Sequence, residues 1–131
     1  MDELPLVSGD DVVRVRQHVR TAAAKHGLSL VDQTKLVTAA SELARNTVVY
    51  GGGGVARVES VTSPAGRSGV RLQFVDEGPG IPDIDLALTD GWTSGNGLGL
   101  GLSGARRLVD EFELNSKPGE GTSVTVVKWS Q

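Results

Sequence analysis

A chain of 131 residues is the size of one domain with one core, spanning 1–131. It has no cysteine, few aromatics and a net charge of -3, so disulfides and thiolate metal sites are excluded, the core is aliphatic, and a general nucleic-acid binder is disfavoured. No apolar run reaches membrane-spanning length, and the start Met-Asp-Glu-Leu-Pro-Leu lacks a basic-then-apolar export signal, which predicts a cytoplasmic protein without a membrane partner.

Residues 3–8 read as a short strand that Pro5 confines to an edge. Asp10 and Asp11 open a helix whose apolar positions, Val12, Val13, Val15, Val19, Ala22 and Ala23, carry it at roughly helical spacing to about residue 26, where Gly27 stops it. Ser29 caps a second helix, with Asp32 in an approximate capping box. Val31, Leu36, Val37, Ala40, Leu43, Ala44 and Thr47 lie on or near one face to about Tyr50, and Gly51 to Gly54 end it. Residues 55–62 and 69–75 read as strands joined by a hairpin loop, residues 76–82 as a turn, and residues 83–90 as a short helix. A glycine-rich loop follows, then a helix over about 103–112, then strands over 112–117 and 121–129. Helices collected on one face of such a sheet give an α+β fold, a two-layer α/β sandwich.

Three segments carry chemistry. Glu42 and Asn46 are four residues apart, so on a helix they point the same way. A carboxylate can deprotonate a hydroxyl, and a carboxamide oxygen suits Mg2+. The same spacing also occurs on an ordinary solvated helix face. Asp76-Glu77-Gly78-Pro79-Gly80-Ile81-Pro82 follows a strand directly. An Asp there can accept a hydrogen bond from an exocyclic amine such as adenine's, although Asp, Gly and Pro are also the residues of any strand-to-loop turn. The third segment is Gly95-Asn96-Gly97-Leu98-Gly99-Leu100-Gly101-Leu102-Ser103-Gly104. Bare backbone ahead of a helix suits a polyphosphate.

Taken alone, that loop also reads as a dinucleotide fingerprint, but the residues before it are loop rather than strand. A Walker A site is excluded because no Gly-Lys-Ser/Thr occurs; Lys117 and Lys128 stand elsewhere. The chain is also too short for a eukaryotic-type kinase fold. His18 and His26 read as solvated surface residues.

The order Glu…Asn on a helix, Asp-x-Gly-x-Gly, then Gly-x-Gly-x-Gly before a helix resembles the GHKL superfamily, which includes sensor histidine kinases, Hsp90, MutL and gyrase B. Glu42-Leu43-Ala44-Arg45-Asn46 is like its N box, Asp76 to Ile81 like its G1 box, and Gly97 to Gly101 like its G2 box. Gly119-Glu120-Gly121-Thr122 resembles its last conserved element. Within the superfamily the chain resembles the stand-alone serine-protein kinases of bacterial partner-switching systems. The resemblance implies the Bergerat ATP-binding fold, ATP and Mg2+.

It also assigns roles. Glu42 is then the base and Asn46 the Mg2+ ligand. Asp76 takes the adenine amine, with Gly78, Gly80 and Thr122 completing that pocket. Gly97, Leu98, Gly99 and Gly101 wrap the phosphates. The implied substrate is a serine on a STAS-domain antagonist, and the implied further partners are a PP2C-type phosphatase or a sigma factor. A non-catalytic binding module or anti-sigma factor is the alternative. The four glycines at 51–54 depart from the family pattern and predict a looser helix exit.

Overall fold

The computed structural model describes residues 1–78, 101–116 and 119–131. Its elements are β1 (Asp2–Leu6), α1 (Gly9–Lys25), α2 (Leu30–Val49), β2 (Gly54–Thr62), β3 (Ser68–Asp76), α3 (Gly101–Arg107), β4 (Glu111–Ser116) and β5 (Thr122–Trp129). The strands form one antiparallel sheet in the order β1-β2-β3-β5-β4, with Pro5 in an edge strand as its missing N–H requires. The helices pack on one face, giving the two-layer α+β sandwich.

Period-two patterning chooses that face. One row crosses the sheet as Leu4, Ala56, Phe74, Val124 and Leu114, each opposite the next. Phe74 at its centre is fully buried, against an aliphatic layer that includes Val15, Val19, Leu36 and Leu43 from α1 and α2. The opposite face carries Arg57, Glu59, Arg71, Gln73, Ser123 and Thr125, which line a shallow polar groove of about 360 Å³.

Both long helices start as their sequence dictates. The Asp32 N–H donates to Ser29 Oγ at 3.1 Å, capping α2. The Asp32 side chain is engaged elsewhere, 3.6 Å from Lys128 Nζ. The third helix differs from expectation: it ends at Arg107, and the chain is already strand at Glu111. Leu108, Val109 and Phe112 could continue a helical stripe. However, Phe112 and Leu114 sit opposite Val126 and Val124 on the sheet, and the sheet row prevails. The segment read as a short helix, 83–90, lies outside the described residues.

The two histidines are half-buried rather than fully solvated. His18 Nε2 lies 2.9 Å from Asp2 Oδ2, and His26 Nδ1 lies 3.3 Å from Ser68 Oγ.

Candidate functional site

A second row of the sheet places the predicted site. Ser116, Thr122, Asp76, Gly54 and Leu6 stand opposite one another in turn across all five strands. Asp76 is two residues beyond Phe74, so its side chain points to the helical face, where it is half-buried. Thr122 is its direct neighbour on β5. The Thr122 hydroxyl lies 2.9 Å from Ser116 Oγ, and Ser116 Oγ donates to the Gly121 carbonyl at 3.1 Å.

Around Asp76 the chain is stripped of side chains. The Gly78 N–H donates to Asp76 Oδ1 at 2.9 Å. A Cβ on Gly51 would lie 2.4 Å from Asp76 Cγ, and one on Gly78 would lie 2.8 Å from Gly51 Cα. A Cβ on Gly121 would lie 2.2 Å from the Asp76 carbonyl oxygen, and Gly121 has a φ of 84°. Gly51 and Gly78 therefore close on the Asp76 side chain and Gly121 on its backbone carbonyl, a cradle with no room for a methyl group at any of the three.

The exit of α2 is not loose. The Asn46 carbonyl accepts from the Tyr50 N–H at 2.9 Å and the Gly51 N–H at 3.1 Å, and the Thr47 carbonyl accepts from the Gly53 N–H at 2.9 Å. The glycines at 52 and 53 have φ values of 73° and 108°, which let the chain wind back on the helix end in a defined path. That path delivers Gly51 against Asp76, so the helix carrying Glu42 and Asn46 runs into the cradle.

On α2, Leu43, Ala44 and Thr47 face the core, which leaves Glu42 and Asn46 on a neighbouring, half-buried face. The Glu42 side chain is 14% exposed and lies 3.6 Å from the Arg45 guanidinium, which is 40% exposed. A half-exposed pair one turn apart adds only about 0.2–0.5 kcal/mol. Its consequence is orientation of the carboxylate rather than stability.

Gly101 opens α3, which packs against α2 through the segment that buries Leu102 and Ala105. Gly80, Gly97, Leu98 and Gly99 lie outside the described residues. Of the expected site, the structure thus joins Asp76, Gly78 and Thr122 to one another. Through Gly51 it also ties them to the helix of Glu42 and Asn46.

Sequence reasoning missed Gly51 and Ser116 as parts of this site. Ser116 was within reach: a hairpin centred on Gly119 places 116 opposite 122. Also unread was Lys128, whose side chain is 8% exposed and lies 3.3 Å from Asp110 and 3.6 Å from Asp32.

A family model described as histidine kinase-, DNA gyrase B-, and HSP90-like ATPase matches residues 31–130. The chain belongs to this ATPase family. The match begins at the start of α2 and runs almost to the end of the chain, so it contains every site residue named above. Serine/threonine-protein kinase RsbT of Bacillus subtilis is 46% identical over 119 residues, covering 91% of this chain and 89% of the relative. An anti-sigma F factor of Thermoanaerobacter is 26% identical over 117 residues, covering 87% and 82%. The much closer likeness to the first puts the chain on the protein-kinase branch of the family.

Among solved structures, the RsbU and RsbW domains of a Mycobacterium tuberculosis protein superpose with a TM-score of 0.64 at 22% identity, covering all of this chain and 33% of that one. The mycobacterial sensor histidine kinase MprB superposes with a TM-score of 0.56 at 19% identity, covering 99% and 97%. At these identities the likeness speaks for the fold. Membership in an ATPase family with kinase relatives makes ATP the nucleotide of this domain. Among the described residues, no helix is long and apolar enough to cross a membrane.

Proposed function

We propose that this chain transfers the γ-phosphoryl group of ATP to a serine on a partner protein in a partner-switching module, and that it works in the cytoplasm. The observation that carries the reading is the cradle at Asp76: a half-buried carboxylate against Gly51 and Gly78, with Gly121 on its backbone carbonyl, next to Thr122, at the end of the helix bearing Glu42 and Asn46.

In this reading Asp76 accepts a hydrogen bond from the adenine amine, and Gly78, Gly80 and Thr122 shape the rest of the base pocket. Gly97, Leu98, Gly99 and Gly101 bring backbone to the phosphates. Glu42 accepts the proton of the serine hydroxyl, whose oxygen takes the phosphoryl group and leaves ADP. Asn46 would hold Mg2+, which would supply neutralisation of the phosphate charge.

The substrate in this reading is a STAS-domain antagonist. Phosphorylation adds about two negative charges to a packed surface and releases it. The freed kinase surface then binds a PP2C-type phosphatase. Support for a switching role comes from the kinase and anti-sigma relatives. Sequestration of a sigma factor, with nucleotide as a conformational ligand only, is the second reading. It is favoured by the anti-sigma F likeness.

The test is a thermal-shift series on the full chain followed by phosphotransfer with radiolabelled ATP to proteins captured on it. ATP with Mg2+ raises the melting temperature, NADH does not, and label appears on a captured serine. Stabilisation without any transfer would select the second reading. No stabilisation by ATP would sink both.

A further inference from the structure

The four consecutive glycines after α2 are glycines for different reasons. Gly52 and Gly53 have positive φ, which side chains resist. Gly54 faces β3 backbone, where a Cβ would lie 2.0 Å from the Val75 carbonyl oxygen. Gly51 has neither property. Its φ is not positive, and the three atoms nearest to an added Cβ all belong to the Asp76 side chain: Cγ at 2.4 Å, Oδ2 at 2.5 Å and Cβ at 2.6 Å. Nothing about its own conformation demands glycine. The nearest obstacle is the Asp76 side chain, from its Cβ outward.

We infer that Gly51 is a positioning residue that sets the aim of the Asp76 carboxylate, and thereby the preference for a purine bearing an exocyclic amine. The inference rests on the adenine reading of Asp76. Oδ1 is fixed by the Gly78 N–H, and Oδ2 is the oxygen nearest to Gly51. The Gly51 backbone packs against both that carboxylate and Gly78, whose own Cβ would meet Gly51 Cα and O at 2.8 Å. Gly51 is held in turn by its N–H to the Asn46 carbonyl at 3.1 Å. The base-recognition carboxylate is thus registered against the helix that carries Glu42 and Asn46. A methyl group at 51 would collide with the Asp76 side chain from Cβ to Oδ2, so the carboxylate moves off its line together with the strand that carries it.

The test compares ATP with purine riboside triphosphate, which lacks the amine, by calorimetry on the full chain. Wild type prefers ATP by more than about tenfold, the size of one hydrogen bond to a charged acceptor. In Gly51→Ala that ratio falls to near one while the variant stays folded by melting temperature. Gly78→Ala, which presses on the Gly51 backbone, lowers the ratio too and decides the matter should Gly51→Ala not fold. Asp76→Asn is run in parallel. A collapsed ratio in Asp76→Asn with a wild-type ratio in the glycine variants overturns the role of Gly51 and leaves the adenine reading intact. An equal loss of affinity for both nucleotides in Gly51→Ala also overturns it, since the methyl would then be filling the pocket rather than moving the carboxylate. A wild-type ratio in all three variants overturns the adenine reading, and this inference with it.

Discussion

Thr122 stands directly opposite Asp76 across the β3–β5 pair, and its hydroxyl lies 2.9 Å from Ser116 Oγ on the next strand. Three polar side chains therefore line one row of a sheet whose neighbouring row is wholly apolar. Hydroxyls next to a half-buried carboxylate supply polar partners at the edge of the cradle without adding charge. Asp76→Asn should weaken ATP by roughly ten- to a hundredfold, the worth of a hydrogen bond to a charged group, while the melting temperature without nucleotide changes little. Thr122→Val should weaken ATP less, by a few-fold, because Ser116 keeps one hydroxyl in the row. Calorimetry on both variants checks the order, and equal losses would remove Asp76 from its leading role.

Glu42 separates binding from transfer. It sits on the half-buried face of α2, away from the Asp76 cradle by most of three helical turns. Glu42→Gln should keep ATP affinity within a few-fold and reduce phosphotransfer by about 10²–10⁴, the usual cost of losing a general base. It should also still capture the partner protein. Near-normal transfer by this variant would exclude Glu42 as the base.

The order of the described elements and the edge strand were legible in the sequence, because period-two strands and capped helices are local signals. Asp76 and Thr122 were singled out by motif likeness, although only the strand pairing shows that they stand side by side. What stayed hidden depends on contacts far apart in the chain. The end of α3 at Arg107 is decided by Phe112 finding Val126, not by helix propensity. Gly51 looked like one more glycine in a run, since its constraint lies 25 positions away in Asp76. Lys128, near the end of the chain, gives no sign of burial until Asp32 and Asp110 are placed beside it.

The start of α1 provides a pH-dependent element of stability. Asp11 Oδ2 accepts from the Val7 N–H at 2.9 Å and the Ser8 N–H at 3.3 Å, and Oδ1 meets Arg14 at 2.6 Å. The Val7 N–H, with Ser8 and Arg14 adding to it against burial, holds the Asp11 carboxyl below its ordinary value. A carboxyl whose folded value is lowered contributes stability above the unfolded value of about 3.9, and that contribution fades as pH falls through the folded value. Asp11→Asn should therefore melt below wild type at pH 7, and the gap should narrow at pH values under about 4. A gap that is constant over this range would mean that shape rather than charge matters at Asp11.

Lys128 bridges α2 to the sheet. Its side chain is 8% exposed, that of Asp32 10% and that of Asp110 34%. Asp110 also accepts from the Trp129 N–H at 2.7 Å, so it keeps a partner and some water if the lysine is lost. Asp32 has neither advantage. Removing one member of a buried pair leaves an uncompensated charge and costs about 3–5 kcal/mol, whereas replacing the pair together can be close to neutral. Lys128→Met should therefore destabilise the domain by about 3 kcal/mol in urea unfolding. Adding Asp32→Asn should recover most of that loss, and adding Asp110→Asn should recover little. Equal recovery by the two second changes would show that the burial difference between the aspartates does not govern the triad. Full stability of Lys128→Met alone would show that Asp32 reaches water in solution.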